Sequence, residues 1–430
     1  MNEPYSVWRD KQQAARQVVH WTQAALRLEK LDELAAPEAW KGMEQYLDTA
    51  VRNSLNATVH RLRRHAIHLQ QQMDAANGPV QLQAMQEALG RFRKRYLKVE
   101  ATLDFFADAI NTRTNQDVAA LLRACDWMAH QSMTAILKPL GKTAPPVLTY
   151  IDKGLGASIL KAGLRLWDRD TINPVAAIKI VRHNLLRPTS LIHESGHQVA
   201  HLLHWNEELA QVLERQLKRY GASMADTWAS WASEITADTF AFVHTGYAAV
   251  ASLHDVLSGN SNWVFRFSPG DPHPINYLRV RLNTAMCRLC FGPGPWDELE
   301  AGWNAIHPLS RAPQEIRSFL SRSAELLPEI AGLCLSYPIR AFQNRPLDGW
   351  LPPARIAPEA LMQLAQQAGP AMYTSPHWLR KEPLRLLALN GYQLAVNPEK
   401  APELIAAQRQ WMLRLGKHTV EYTYPQTIKN

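Results

Sequence analysis

The feature that most constrains the fold of this chain is a long run of apolar residues spaced alternately three and four positions apart. The run has nine positions: Leu82, Met85, Leu89, Phe92, Tyr96, Val99, Leu103, Phe106 and Ile110. This spacing places all of them on one face of a helix, as in the heptad repeat of a coiled coil. The sequence therefore predicts a long helix that needs a partner along its apolar face.

A less regular repeat of the same kind occupies residues 40–73, and an Asn-Gly-Pro sequence at 77–79 separates the two repeats. Asn-Gly commonly ends a helix, and a proline suits the first turn of the next one. We therefore expect residues 1–140 to form a domain built on a long antiparallel helical hairpin. Further helices, near residues 8–35 and 115–138, are expected to pack on this hairpin.

Proline and glycine cluster where this helical pattern stops. Three short β-like runs follow at 147–151, 157–167 and 175–183, and they predict a small sheet directly before the next helix. The predicted fold class is therefore mainly α with a small β-sheet (α+β). A central region at 141–300 would be followed by a helical C-terminal region at 301–430, in which we find no motif.

The composition is that of a globular protein, since hydrophobic residues make up 46% and charged residues 20% of the 430 residues. No apolar run approaches the roughly 18 residues of a membrane-spanning helix, and the N-terminus has no apolar signal core. Four cysteines are too few for a disulfide framework and fit a reducing compartment. We therefore expect a soluble, cytoplasmic protein without a membrane span.

The basic sequence RFRKRYLK at 91–98 lies inside the long repeat. Because Phe92 and Tyr96 belong to the apolar face, the basic residues remain mostly on the outer face of the helix. A solvated helix face is favoured over a nucleic-acid patch. The net charge of +8 is also modest for this length, so we do not expect nucleic acid to be the partner.

The sequence HESGH at 193–197 raises the question of a metal site. Residues four apart share one face of a helix, so His193 and His197 can both direct a ring nitrogen at one ion. Glu194 is rotated by one residue and would lie beside such an ion, where it can accept a proton from a zinc-activated water. An ordinary helix is the alternative, and a third ligand must decide between the two.

Catalytic zinc commonly takes three protein ligands. His201 lies one further turn along the same helix, too far to reach an ion held by the first two histidines. A second helix, at 225–246, carries Glu234 and Asp238 four apart among mostly apolar residues, where carboxylates are costly unless paired. A metal accounts for Glu234, and a hydrogen bond to a ligand histidine accounts for Asp238. The alternative is a partly solvated acidic edge of an amphipathic helix.

Together, HESGH and the sequence EITAD at 234–238 resemble the gluzincin metallopeptidases, in which a glutamate from a later helix completes an HExxH zinc site. The form ExxAD is most similar to the branch that contains the CAAX-prenyl-protein peptidases and their bacterial heat-shock relatives. The sequence HPINYLR at 273–279 matches the HPxxxxR pattern of that branch. The resemblance covers about residues 190–280, and this chain differs from the membrane peptidases of the branch in having no expected transmembrane helix.

This resemblance implies a role for each polar residue of the first two motifs. The ligands of zinc (Zn2+) would be His193, His197 and Glu234. Glu194 would be the general base of the reaction, and Asp238 would support a ligand histidine from behind.

The resemblance also implies that His273 and Arg279 lie near the reacting carbonyl or support the site. The residues themselves are compatible with this role, because Pro274 suits the first position of a helix. His273 would then lie at the helix N-terminus, where it could direct a donor into a cleft. Alternatively, His273 and Arg279 only tie this helix to its neighbours.

The sequence is thus interpreted as a soluble zinc metallopeptidase with a zincin-like catalytic core at 141–300, acting on peptide or protein substrates. The strand at 175–183 is a candidate edge on which an extended peptide could lie. The alternative is a non-enzymatic interaction protein whose helical hairpin binds a protein partner and whose zinc is structural. Glu194 discriminates between them, because a structural site has no use for a base beside an open coordination position.

Overall fold

The computed structural model describes residues 3–47, 49–154, 156–165 and 172–418. The structure is 76% helix and 4% strand. This confirms the predicted fold class, mainly α with a small β-sheet. None of the helices in these segments combines the length and the apolar character that crossing a bilayer requires.

Contacts between residues divide the described chain into two compact units. The first is formed by residues within 1–119 and 160–176, and the second by residues within 120–159 and 177–419. The three-part division expected from the sequence stays a prediction.

The first unit contains the hairpin. Its helices are α1 (Glu3–Arg27), α2 (Pro37–Leu47), α3 (Ala50–Ala75) and α4 (Pro79–Asn111), while α5 (Gln116–Leu137) begins here and continues into the second unit. Helices α3 and α4 pack along one another, and α1 packs on both. Helix α4 begins at the proline of the Asn-Gly-Pro sequence, as predicted. The repeat that precedes it is divided between α2 and α3.

The apolar repeat of α4 explains this packing. All nine of its positions are buried, from Leu82 to Ile110. Helix α3 buries an apolar face of its own, which includes Leu55, Leu62 and Leu69. Burial of two apolar faces against one another is the main source of stability for long helices, since isolated helices are marginal in water.

Three strands form one sheet: β1 (Val147–Ile151), β2 (Ser158–Leu160) and β3 (Ala176–Ile180), in the order β1-β3-β2. Each β-like run of the sequence contains a strand, although the middle strand has only three residues. Because β3 lies between the other two strands, the prediction that it is an edge strand is wrong. Its nearly continuous buried run is the pattern of a central strand, and both its sides are already occupied.

Helices build the remainder of the second unit. They are α6 (Thr189–Leu203), α7 (Trp205–Leu217), α8 (Ala222–Ser230), α9 (Ala232–Thr245), α10 (Tyr247–Leu257), α11 (Ser261–Val264), α12 (Asn276–Phe291), α13 (Pro295–Ile306), α14 (Gln314–Leu335), α15 (Pro358–Ala368), α16 (Pro376–Lys381), α17 (Pro383–Val396) and α18 (Ala401–His418). Helix α9 is central, because α6, α7, α10, α12, α14 and α17 all pack against it.

The central position of α9 decides between the two interpretations of its carboxylates. Every residue of α9 except Ser233 is buried. A helix enclosed on all sides is normally apolar throughout, yet α9 carries Glu234 and Asp238 into the interior of the second unit. The interpretation of these residues as a solvated acidic edge is therefore wrong.

The packing of the hairpin predicts a sharp difference between two positions of α4. Replacing Phe92, which is 6% exposed, by Asp should lower the free energy of unfolding by about 3 kcal/mol or more, because a buried ring is lost and an unpaired charge is buried. The matched control is Leu97→Asp, at a side chain 47% exposed, which should change stability by about 0.5 kcal/mol or less. Urea unfolding of the full chain, followed by helical circular dichroism, measures both. Equal losses at the two positions would contradict the packing.

Candidate metal centre

Helix α6 brings two histidines to one point. It begins at Thr189, directly after Pro188, and continues to Leu203. His193 and His197 are four residues apart and lie on the same face, with 4.8 Å between their ring centroids. Both side chains are only partly exposed, at 15% and 12%.

The carboxylate of Glu234, on α9, lies close to both imidazole rings. Its Oε2 lies 3.4 Å from Nε2 of His193, and its Oε1 lies 3.2 Å from Nε2 of His197. One donor atom from each of the three residues lies within 4.8 Å of the others. The three ligands predicted from the sequence are therefore brought together, and this group could hold a metal ion.

A glycine permits the close approach of the two helices that carry these residues. A Cβ atom at Gly196 would lie 2.9 Å from both Cα of Ala237 and Cβ of Phe240, which is closer than real Cβ contacts. Any larger residue at 196 would therefore push α6 and α9 apart.

Asp238 and Arg279 form a layer of charge behind the predicted ligands. Nδ1 of His193 lies 2.8 Å from Oδ1 of Asp238. Arg279 donates from Nε to Oδ2 of Asp238 over 2.6 Å and from Nη2 to Oδ1 over 2.7 Å, and Nη2 also donates to Oε2 of Glu234 over 3.1 Å. Paired donors in this fork geometry are the strong form of an arginine–carboxylate contact. Arg279 thus holds the carboxylates of Asp238 and Glu234 in position.

This layer controls the protonation of the group. Burial alone would raise the pKa of a carboxyl, but the charge and hydrogen bonds of Arg279 outweigh it and lower the pKa of Asp238 to about 2. Hydrogen bonds from the two histidines, together with Arg279, likewise lower the pKa of Glu234 despite its burial. Burial disfavours the charged form of His193, yet its bonds to Asp238 and Glu234 raise its pKa to about 10.

Glu194 occupies a different environment from the other two carboxylates. It is 7% exposed, and burial raises its pKa, in opposition to the nearby His193 and His197. A raised pKa brings a carboxylate closer to the range in which it can accept and return a proton near neutral pH. Glu194 is therefore suited to proton transfer.

His273 lies at the edge of the site and not at the start of a helix. Helix α12 begins at Asn276, so the prediction that Pro274 occupies the first helical position is wrong. Asp271 holds the chain in a turn, accepting hydrogen bonds from the backbone N–H of His273 over 3.0 Å and from its Nδ1 over 2.7 Å. The following proline also disfavours helical geometry at residue 273. The ring, 54% exposed, directs Nε2 toward Oε2 of Glu234 at 3.6 Å.

Asp271 was not predicted from the sequence, although an aspartate two residues before a histidine favours such a turn.

The apolar side chains of the cleft that opens onto the site were not predicted either. This cleft contains about 910 Å³ of space including its mouth, and Glu194 and His273 both line it. The lining also includes Leu253, Val256 and Leu257 of α10, a helix in which the sequence shows no motif.

Comparison of the chain with protein-family models, with curated proteins and with solved structures finds no match in any of the three. The function proposed below therefore rests on the residues and the geometry of this chain.

The contact at Gly196 predicts that even a methyl group there disturbs the metal centre. Gly196→Ala should weaken binding of a divalent metal ion by at least about tenfold and lower the melting temperature, because the helix backbones must separate. Gly302→Ala on α13 is the matched control, since a Cβ there meets nothing within 4 Å. It should be neutral or stabilising by about 0.5–1 kcal/mol. Metal titration and thermal melts check both, and full metal affinity in Gly196→Ala would contradict the close approach.

The pKa of His193 predicts how metal binding responds to pH. In the metal-free protein His193 keeps its extra proton up to about pH 10, so a metal ion must displace that proton at lower pH. Apparent affinity should therefore rise by about tenfold per pH unit from about pH 6.5 to 8.5. If His193 had no bonds to the carboxylates, the apparent metal affinity would stop rising once the pH passed the ordinary pKa of a histidine.

Competition with a chromophoric chelator of known pH dependence measures this slope. Asp238→Asn, which removes one of the charged partners of His193, should flatten it. A wild-type affinity that is constant over this range would contradict the protonated state of His193.

Proposed function

We propose that this protein is a zinc-dependent metallopeptidase of the gluzincin type. The observation that carries the proposal is the meeting of His193, His197 and Glu234, because two of the three, His193 and Glu234, line an open cleft together with Glu194. The resemblance of HESGH, EITAD and HPINYLR to the gluzincin motifs supports the same function.

The donor set favours zinc. Two imidazoles and one carboxylate form a typical set of catalytic zinc ligands, which leaves a further coordination position free. The hydrogen bond from Nδ1 of His193 to Asp238 fixes the ring with Nε2 toward Glu234, as partners of metal-bound histidines do. When bound, zinc would polarise the carbonyl of the scissile bond and acidify a water molecule.

The side chains around the site would move the protons of the reaction. Glu194 would accept a proton as the water oxygen attacks the carbonyl carbon, and would pass it to the amine nitrogen as the carbon–nitrogen bond breaks. His273, whose Nδ1 is held by Asp271, could donate from Nε2 to the oxygen of the carbonyl as negative charge develops there.

The competing function is that of an interaction protein with a structural zinc. Structural zinc sites are normally closed by four protein ligands, without a free position. Among the described residues, the cluster that could hold an ion has three members, and it borders a cleft. This favours catalysis, while binding of a protein partner by the α3–α4 hairpin remains a separate proposal.

We further propose that the enzyme acts in the cytoplasm on peptide or protein substrates. The four cysteines are all free, which fits a reducing compartment. Four basic residues of the sequence RFRKRYLK, which lies on α4, are exposed: Arg91, Arg93, Lys94 and Lys98. Their exposure is what a solvated helix face requires, so it supplies no reason to add nucleic acid to the partners.

The decisive test separates metal binding from turnover. Glu194→Gln should retain about one zinc per chain and abolish peptide cleavage, because it removes the proton acceptor but no metal ligand. Its matched control, Glu207→Gln, changes an exposed glutamate of α7 and should retain activity. Zinc analysis and mass spectrometry of a peptide library treated with each protein give both readouts. Identical product profiles from the wild type and Glu194→Gln would refute the peptidase function.

A further inference from the structure

One face of helix α10 belongs to the cleft of the metal centre. The residues of α10 that line the cleft are Ala249, Ser252, Leu253, Val256 and Leu257. They occupy positions i, i+3, i+4, i+7 and i+8, the spacing of a single helix face. Val256 is 37% exposed although it is apolar, so a ligand can reach this face.

The ionisable side chains of the cleft belong to the metal centre and not to α10. Among the described residues that line the cleft, they are His193, Glu194, Glu234, Asp238, His273 and Arg279. The one cation of fixed charge, Arg279, is already paired with Asp238 and Glu234. Asp255 of α10 is not part of the lining and lies 2.8 Å from Nη1 of Arg187. A charged group bound against the lining face of α10 would therefore find no partner there.

Small residues supply other parts of the lining and leave space in the cleft. They are Ala241 on α9, and Gly156 and Ala157 just before β2. Water can occupy about 230 Å³ of the cleft. An apolar cavity of about 150 Å³ is large enough to hold a benzene ring, so the cleft has room for an aromatic side chain.

The cleft also determines where such a side chain lies along a substrate. His193, Glu234 and Glu194 line the same cleft, so a group bound against α10 lies close to the bond that would react. Transfer of an apolar group from water to an apolar face is favourable, whereas burial of an unpaired charge is costly. The residue next to the reacting bond is therefore the one that α10 can select.

We propose that the cleft binds the apolar side chain of a residue that flanks the scissile bond, with an aromatic ring preferred, and that Leu253, Val256 and Leu257 select it. The inference rests on the proposed peptidase function and names a substrate feature that the metal ligands do not determine. It assigns α10, which lies outside all the sequence motifs, to substrate selection.

A set of four hydroxamic acids tests the cleft in the zinc-loaded protein without turnover. The hydroxamate group chelates zinc, so a substituent on the adjacent carbon is brought to the cleft. The compounds differ only in this substituent, which is hydrogen, benzyl, carboxymethyl or aminobutyl. The first, acetohydroxamic acid, measures binding to the metal centre alone. Isothermal titration calorimetry gives the four affinities.

The benzyl compound should bind at least about tenfold more tightly than acetohydroxamic acid, because its ring leaves water for an apolar face. The carboxymethyl and aminobutyl compounds should gain no more than about threefold. Val256→Asp should weaken binding of the benzyl compound by about threefold to tenfold and strengthen binding of the aminobutyl compound by about twofold to fivefold, because it offers a partner to the ammonium group. Binding of acetohydroxamic acid should not change.

The matched control is Val19→Asp, at an exposed valine of α1 in the first unit, which should leave all four affinities unchanged. Thermal melts confirm that each variant is folded. If Val256→Asp does not fold, Leu253→Ala decides, and it should weaken binding of the benzyl compound by about threefold or more. Affinities that do not depend on the substituent, a benzyl preference that Val256→Asp leaves intact, or no binding of any compound would overturn the proposal.

Cleavage of a peptide library by the wild type separates this inference from the proposed function. Aromatic and other apolar residues should be enriched at one of the two positions that flank the cleaved bond. Cleavage without this enrichment and without a benzyl preference would leave the peptidase standing and refute the role of α10. A benzyl preference that depends on Val256, without any cleavage, would refute the peptidase and leave a site for apolar ligands beside the metal centre.

Discussion

The ion pair between Arg279 and Asp238 is the interaction on which the centre of the second unit depends. Helix α9 is enclosed by other helices, and an uncompensated carboxylate there would cost several kcal/mol. Arg279 binds both oxygens of Asp238 and reaches Glu234 as well. The same contact joins α12 to α9 and, through Asp238, fixes the ring of His193 on α6. The same contacts therefore neutralise the buried carboxylates and hold the side chains of the site in position.

Close packing supplies the second constraint. At Gly196 the backbone of α6 meets that of α9, so the imidazoles of one helix reach the carboxylate of the other. This geometry needs both the small residue and the buried ion pair, because either alone would leave the side chains of Glu234 and His193 free to move apart. A site assembled from rigid helices in this way holds its donor atoms in position before a ligand arrives.

Some residues of the site could be predicted from the sequence and others could not. The spacing of His193 and His197 and the cost of carboxylates in an apolar helix were enough to select the three residues that meet. The order of the strands was not predictable, since a buried run such as that of β3 does not state which strands flank it. His273 was placed correctly near the site but wrongly on a helix, because the turn formed by Asp271 competes with helix formation only through a local side-chain bond.

The sequence by itself determined the helical hairpin, the fold class and the residues that could bind a metal, because each depends on local periodicity and side-chain chemistry. Only the tertiary structure decided that Arg279 neutralises both carboxylates, that Gly196 sets the helix separation and that α10 lines the cleft beside the site. These features join residues from distant parts of the chain. Their contacts depend on how whole helices pack, and no short stretch of sequence encodes that packing.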